Sequence, residues 1–117
     1  KILDKNISVN PTAVRVPVLV GHAESIYIET EKEIDIELAK NCLNQFAGIS
    51  VIDDVQEVDF PTSFEHGHGT DDVYVGRIRK GLSKNNSLNL WVVADNVRKG
   101  AALNSIQIAE NLVGSKM

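Results

Sequence analysis

From position 7 to position 30, apolar and β-branched residues recur at alternate positions, the period of a strand rather than a helix. Val14, Val16 and Val18 share one face while Arg15 and Pro17 point the other way. After Val20-Gly21 the alternation restarts, with Ile26 and Ile28 opposed to Tyr27 and Glu29, so two strands joined near Gly21 are predicted. The period then changes. Asp35 reads as an N-cap, Glu37 suits the first turn, and Leu38, Ala39, Cys42, Leu43 and Phe46 recur at helical spacing until Gly48. Ile49 to Ile52 is a short strand closed by Asp53 and Asp54, and the stretch from Phe60 to Asp72, with Pro61, Gly67 and Gly69, is a loop. Val73, Val75 and Ile78 mark a further strand and Ser83 to Ser87 a turn. The near-continuous apolar run Leu88 to Ala94 predicts a strand covered on both faces. Beyond Asp95-Asn96, the residues Ala102, Ile106, Ala109 and Val113 form one stripe of a helix ending near Gly114. The order β-β-α-β-β-β-α predicts an α+β fold: a mainly antiparallel mixed sheet with its helices on one face.

Composition narrows the class. A chain of 117 residues is one domain, and with 43% hydrophobic and 24% charged residues it is an ordinary globular composition, not a disordered one. Twelve Lys+Arg against sixteen Asp+Glu give a net charge of −4, which excludes nonspecific binding to nucleic acid. The single cysteine, Cys42, excludes an internal disulfide and a multi-cysteine zinc site, so a cytoplasmic location is expected. No apolar run approaches the ~20 residues that span a bilayer, so no membrane partner is expected. The chain opens on Lys1 rather than Met and reads as a piece of something longer.

Several residues invite chemistry. Arg15 lies inside the first apolar alternation, where its guanidinium needs a carboxylate partner, either from a neighbouring side chain or from a ligand. On one straight strand Arg15 and His22 would stand roughly 23 Å apart, so only a bend or reversal lets them share a site. His22 follows the Gly21 bend; an imidazole there is a natural general acid/base or a plain hydrogen-bonded surface group, and Glu24 shares its strand face. His66 and His68 bracket Gly67 beside Glu65, Asp71 and Asp72, a set that could chelate a metal, but its glycine-rich texture reads better as a mobile polar loop, and no metal site is assigned. Gly67-His68-Gly69 leads into a strand, which disqualifies it as a dinucleotide fingerprint. Cys42 is expected to be a buried structural thiol on the apolar helix face. Arg77 and Arg79 fall on one strand face, as a solvated patch or a contact for an acidic ligand. Asn96, Arg98, Lys99 and Gly100 stand where a buried strand yields to a helix, a place for binding groups, although Asn96 also fits a helix cap.

Three collinear stretches carry a resemblance. They are Val14-Arg15-Val16-Pro17-Val18 followed by Gly21-His22-Ala23-Glu24-Ser25 and Tyr27-Ile28-Glu29-Thr30; the run from Asp72 to Arg79; and the run from Asn89 to Glu110. Together they closely resemble the C-terminal part of bacterial aspartate-β-semialdehyde dehydrogenases. The resemblance implies a glyceraldehyde-phosphate-dehydrogenase-like C-terminal domain over residues 1–117, serving catalysis and dimerisation, with the N-terminal NADP-binding domain absent. It implies NADPH-dependent conversion of aspartyl phosphate to aspartate semialdehyde and phosphate, on the route to lysine, methionine and threonine. In that family a cysteine in the first half of the enzyme attacks the acyl phosphate. The motif histidine that serves it as acid/base falls on His22, the arginine that holds the substrate carboxylate falls on Arg15, and the cofactor-touching residue falls on Asn96. A homodimer or dimer of dimers is implied. The departures are the missing nucleophilic cysteine and dinucleotide glycine motif, so the fragment alone is expected to be inactive, and Ala23 where a serine is commoner. The other readings are a sister reductase acting on acetylglutamyl phosphate and a non-catalytic α+β dimerisation module.

Overall fold

The computed structural model describes residues 4–114. Strand β1 (His22–Glu29) is followed by helix α1 (Ile36–Gln45), the short strand β2 (Ile49–Val51), and the long strands β3 (Val73–Lys80) and β4 (Ser87–Ala94). A π-helical segment, Arg98–Ala102, runs directly into helix α2 (Leu103–Gly114). The strands form one sheet in the order β1-β4-β3-β2, antiparallel except where β2 pairs parallel with β3. The mixed, mainly antiparallel α+β architecture expected from the hydrophobic pattern is therefore the observed one.

Helix α1 starts where its cap chemistry dictates. The Asp35 carboxylate accepts from the Leu38 amide at 2.9 Å, and Gly48 at φ +81° turns the chain out toward β2. Its inward residues, Ile36 and Leu43, pack with Ile26, Val73 and Val92 against the buried cluster of Val75, Ile78, Leu88 and Leu90. The predicted stripe splits here: Leu38, Cys42 and Phe46, four apart, lie on a second face and are exposed. Cys42 is thus not the buried thiol expected, because the helix meets the sheet through the 36, 39, 43 spacing instead.

β4 is central, and Val93 is wholly buried. Pleating sends Trp91 and Val93 to the face opposite Leu90 and Val92. There the 54–72 segment lies across the sheet, with the Trp91 indole donating to the Pro61 carbonyl at 2.9 Å and Pro61 itself buried. Both faces of β4 are covered, as its apolar run predicts. In β3 a bulge between Gly76 and Arg79, with Arg77 at φ +55°, breaks the strict alternation that would put both arginines on one pleated face. Arg77 instead lies 5.6 Å from the Phe60 ring centroid.

Two expectations are corrected. Residues 7–20 form no strand: the segment is exposed along almost its whole length, Val14 to 76%, and has no ladder partner among the described residues. Pro11 and Pro17 remove two of its donors, and alternation signals a face that needs cover without supplying the neighbour that would pair. The element order is accordingly β-α-β-β-β-α. Nor do both helices cover the sheet. α2 runs on from the π-helical turn before it, makes no extensive contact with any strand and has no buried residue, and Ile106 and Val113 of its apolar stripe stay more than half exposed. No described helix is long and apolar enough to cross a membrane.

Candidate active-site half around His22

His22 opens β1 opposite Ala94, the last residue of β4. This register places the start of β1 beside the β4–α2 connection, Asp95 to Val97. Gly21, buried and at φ +92°, donates its backbone N–H to Asn96 Oδ1 at 2.9 Å across 75 residues of chain. The positive φ explains the glycine, and the register explains the partner. With its carbonyl oxygen so engaged, Asn96 has its amide Nδ2 donor without a partner among the described residues. Asn96 is therefore not the helix cap. The turn leading into the helical segment is closed instead by Asp95, which is 3% exposed and which sequence reasoning passed over: its Oδ1 accepts from the Val97 and Arg98 amides at 2.8 and 2.9 Å.

Asp95 also faces the other way. Its Oδ2 accepts from the Gly69 amide at 2.8 Å. The backbone N–H donors of Arg98 and Gly69, with that of Val97 and the nearby His68 adding to them, hold its carboxyl below the ordinary aspartate range against the opposing cost of burial. The segment from Thr62 to Thr70 that it grips is tightly organised, unlike the mobile loop expected. Thr62 donates its amide to His66 Nδ1 at 3.2 Å, the Thr70 hydroxyl donates to the His66 carbonyl at 2.6 Å, and the His66 ring lies 5.0 Å from that of Tyr74. With its Nδ1 turned inward, His66 is a structural residue. Among the described residues no three His, Cys, Asp or Glu side chains gather to hold a metal ion.

The loop reaches the site through glycines. A Cβ on Gly21 would stand 2.7 Å from the Gly67 carbonyl oxygen, so the two backbones are in direct contact. His22 is thus fixed at its root from two sides, by Asn96 and by the Gly67 backbone, while its side chain is exposed and makes no hydrogen bond or ion pair among the described residues. Arg15 is likewise exposed, and among the described residues it has no ion-pair partner and its segment ahead of β1 joins no strand. His22 and Asn96 are brought together through Gly21; no recorded contact joins Arg15 to either. An open cleft of about 220 Å³ between the Asp53–Phe60 turn and the β3 bulge lies elsewhere, lined by Arg77 and Arg79 and not by these residues. Away from the site, Lys40 of α1 reaches Asp53 at 2.7 Å, and this contact raises the lysine above its ordinary value.

The arrangement offers a solvent-facing imidazole on a firmly held root, an amide donor next to it and an exposed guanidinium on the segment upstream, with no thiol beside them among the described residues. Comparison with known proteins is consistent with a part rather than a whole. Residues 1–99 match the family model described as semialdehyde dehydrogenase, dimerisation domain. The aspartate-semialdehyde dehydrogenase of Shewanella violacea is 53% identical over 110 residues, 94% of this chain and 32% of that protein. That of Legionella pneumophila is 49% identical over 109 residues, 93% of this chain and 31% of that protein. The crystal structure of aspartate semialdehyde dehydrogenase II from Vibrio cholerae complexed with ASA superposes with a TM-score of 0.84 at 50% identity, over 92% of this chain and 31% of that one. A probable aspartate-semialdehyde dehydrogenase from Pseudomonas aeruginosa gives 0.76 at 36% identity, over 86% of this chain and 29% of that one. The chain spans about a third of the length of the curated relatives it matches.

Proposed function

Since this chain belongs to the semialdehyde dehydrogenase dimerisation-domain family, we propose that it is the C-terminal, dimer-forming third of an NADP-dependent aspartate-semialdehyde dehydrogenase of the cytoplasm. It contributes one half of the active site to a thiol nucleophile and a cofactor domain carried elsewhere in the full enzyme. The substrate pair is aspartyl phosphate and aspartate semialdehyde with phosphate, which places the reaction in lysine, methionine and threonine biosynthesis. The supporting observation is the His22–Gly21–Asn96 link, because it gathers into one corner two residues that the family pattern assigns to the reaction.

Within that reading His22 is the acid/base. An exposed imidazole on a fixed backbone, without a partner among the described residues, accepts the proton of the incoming thiol as sulfur displaces phosphate from the acyl carbon, and returns it to the thiolate expelled when the oxyanion left by hydride addition collapses to the aldehyde. Arg15 supplies a planar fork for the amino-acid carboxylate; it has no ion pair among the described residues, which leaves its donors for the substrate. Asn96 fits the cofactor because its carbonyl is spent on Gly21 and only its donor remains, which suits the carbonyl or phosphate oxygens of a nicotinamide dinucleotide. NADPH, when bound, supplies the hydride. Cys42 is the chain's one thiol and sits on α1, whose contacts are with β2 and β3, so this chain alone turns over no substrate. The exposed apolar side chains of β1, Tyr27 and Ile28, and those of α1 and α2 call for cover that a second copy and the rest of the enzyme provide.

The test is kinetic, on the full-length protein. His22→Asn lowers kcat by about 10²–10⁴-fold with KM changed far less, and Arg15→Lys raises KM for aspartate semialdehyde. Parental kcat in His22→Asn removes the acid/base assignment, and an unchanged KM in Arg15→Lys removes the carboxylate assignment.

A further inference from the structure

The connection between the Thr62–Thr70 loop and His22 has no part in the chemistry described above, and it is built with more care than a surface loop requires. Three hydrogen-bonded or close-packed contacts join them. The Asp95 carboxylate is divided between two tasks: one oxygen caps the segment leading into α2, and the other takes the Gly69 amide from the loop. Gly69 itself is at φ +71°, a backbone that favours glycine. Two residues earlier the Gly67 backbone packs on Gly21, with no room for a methyl group on either side: a Cβ on Gly67 would meet Ser63 O at 2.8 Å and Gly21 Cα at 3.2 Å. Next to Asp95, Asn96 takes the Gly21 amide. The Asp95-Asn96 pair therefore grips the root of His22 twice, directly through Asn96 and indirectly through the loop.

We propose that Asp95 is a positioning residue for His22, acting through the Gly67–Gly69 backbone, which forms the wall that fixes Gly21 and with it the direction of the imidazole. The inference rests on the reading of His22 as the acid/base. Its physical basis is that a β1 start at a sheet edge is paired on one side only, by β4, and needs a second restraint to hold a side chain to the few tenths of an ångström that proton transfer demands.

Asp95→Asn in the full-length enzyme separates the two tasks. Asparagine keeps one side-chain oxygen as an acceptor, so the bonds to Val97 and Arg98 are kept, but the other oxygen becomes an amide that cannot accept from Gly69. The expected result is a fall in kcat of about tenfold with KM for aspartate semialdehyde within twofold. In the same variant, hydrogen exchange speeds up in 62–70 and also in 20–25. Exchange that rises in 62–70 but stays parental in 20–25, with parental kcat, overturns the proposal. Gly67→Ala disturbs the same path from the loop side and serves if Asp95→Asn does not accumulate as folded protein; parental kcat and parental exchange at 20–25 in that variant overturn it equally. The exchange coupling of the two segments is read without turnover. A His22→Asn enzyme that keeps parental kcat therefore removes the acid/base reading, while the exchange result separately decides whether Asp95 holds the β1 start.

Discussion

Asn96 offers a way to pull apart two roles that one side chain performs. Its Oδ1 accepts the amide of buried Gly21, and its Nδ2 is the donor assigned to the cofactor. Asn96→Ala removes both. The Gly21 N–H is then left inside the protein with no acceptor, at a cost of about 1–3 kcal/mol. Asn96→Asp keeps an acceptor for Gly21, now a charged one, and removes only the donor. The added carboxylate lies beside Asp95, which is unfavourable, and at the start of the helical segment, which is favourable; the two effects oppose each other, and the net change stays within about 1 kcal/mol.

Urea unfolding of the full-length enzyme reads the first quantity. With a slope of about 2 kcal/mol per molar, the alanine variant loses about 0.5–1.5 M in the midpoint of the transition that includes this domain, and the aspartate variant loses less, about 0.5 M at most. The Michaelis constant for NADPH reads the second. Loss of one neutral hydrogen bond is worth about 0.5–1.5 kcal/mol, so KM rises about 2–12-fold in both variants. Equal midpoints for alanine and aspartate would refute the anchoring role, since only alanine lacks the acceptor. A parental KM in the aspartate variant would refute the cofactor role, since only the donor has gone.

Three further outcomes follow from local geometry. Gly76→Ala would set a Cβ 2.2 Å from the Ile52 carbonyl oxygen and 2.5 Å from Pro61 Cδ, two groups that cannot both retreat; a loss of about 3 kcal/mol or failure to accumulate is expected, measured as soluble yield and urea midpoint. Asp35→Ala removes the α1 cap at a cost of about 1 kcal/mol, and Asp35→Asn, which caps as well, restores it in the same assay. Lys40→Met leaves Asp53, whose side chain is 5% exposed, without its cation, and costs about 2 kcal/mol, less than for a fully buried pair because Lys40 keeps 24% of its exposure. Because Asp53 raises Lys40 above its ordinary value of 10.5, the stability from the pair is complete below that value and is lost as pH climbs through the higher folded value; parent and variant therefore converge only at alkaline pH.

Where an element is specified by neighbours in sequence, the pattern was readable. The Asp35 cap, the Gly48 exit and the apolar run of β4 each needed only a few adjacent residues, and each stands as expected. The alternation of Val14, Val16 and Val18 misled for a physical reason: period two says that one side of an extended segment is apolar, and pairing requires a partner strand that the described residues do not provide. Cys42 failed in a related way. Both 36-39-43 and 38-42-46 are permitted helical stripes, and which one meets the sheet is decided by where β3 and the loop before it lie.

The site shows the same division between residue type and placement. Histidine at a glycine bend, arginine among valines and asparagine after a buried strand are chemical choices visible in the letters. That Asn96 takes the Gly21 amide is a consequence of the β1–β4 register, which pairs His22 with Ala94 and so brings position 21 close to position 96, and that Asp95 takes Gly69 follows from the β3–β4 register, which pairs Val73 with the same Ala94. A shift of the β1–β4 register by two residues would keep every apolar side chain on its own face and still separate Gly21 from Asn96. The hydrophobic pattern therefore cannot select the functional register by itself. The buried Gly21 N–H can, because only in the observed register does it find an acceptor, and the polar link that organises the candidate active site thereby also helps to choose the pairing of the strands that carry it.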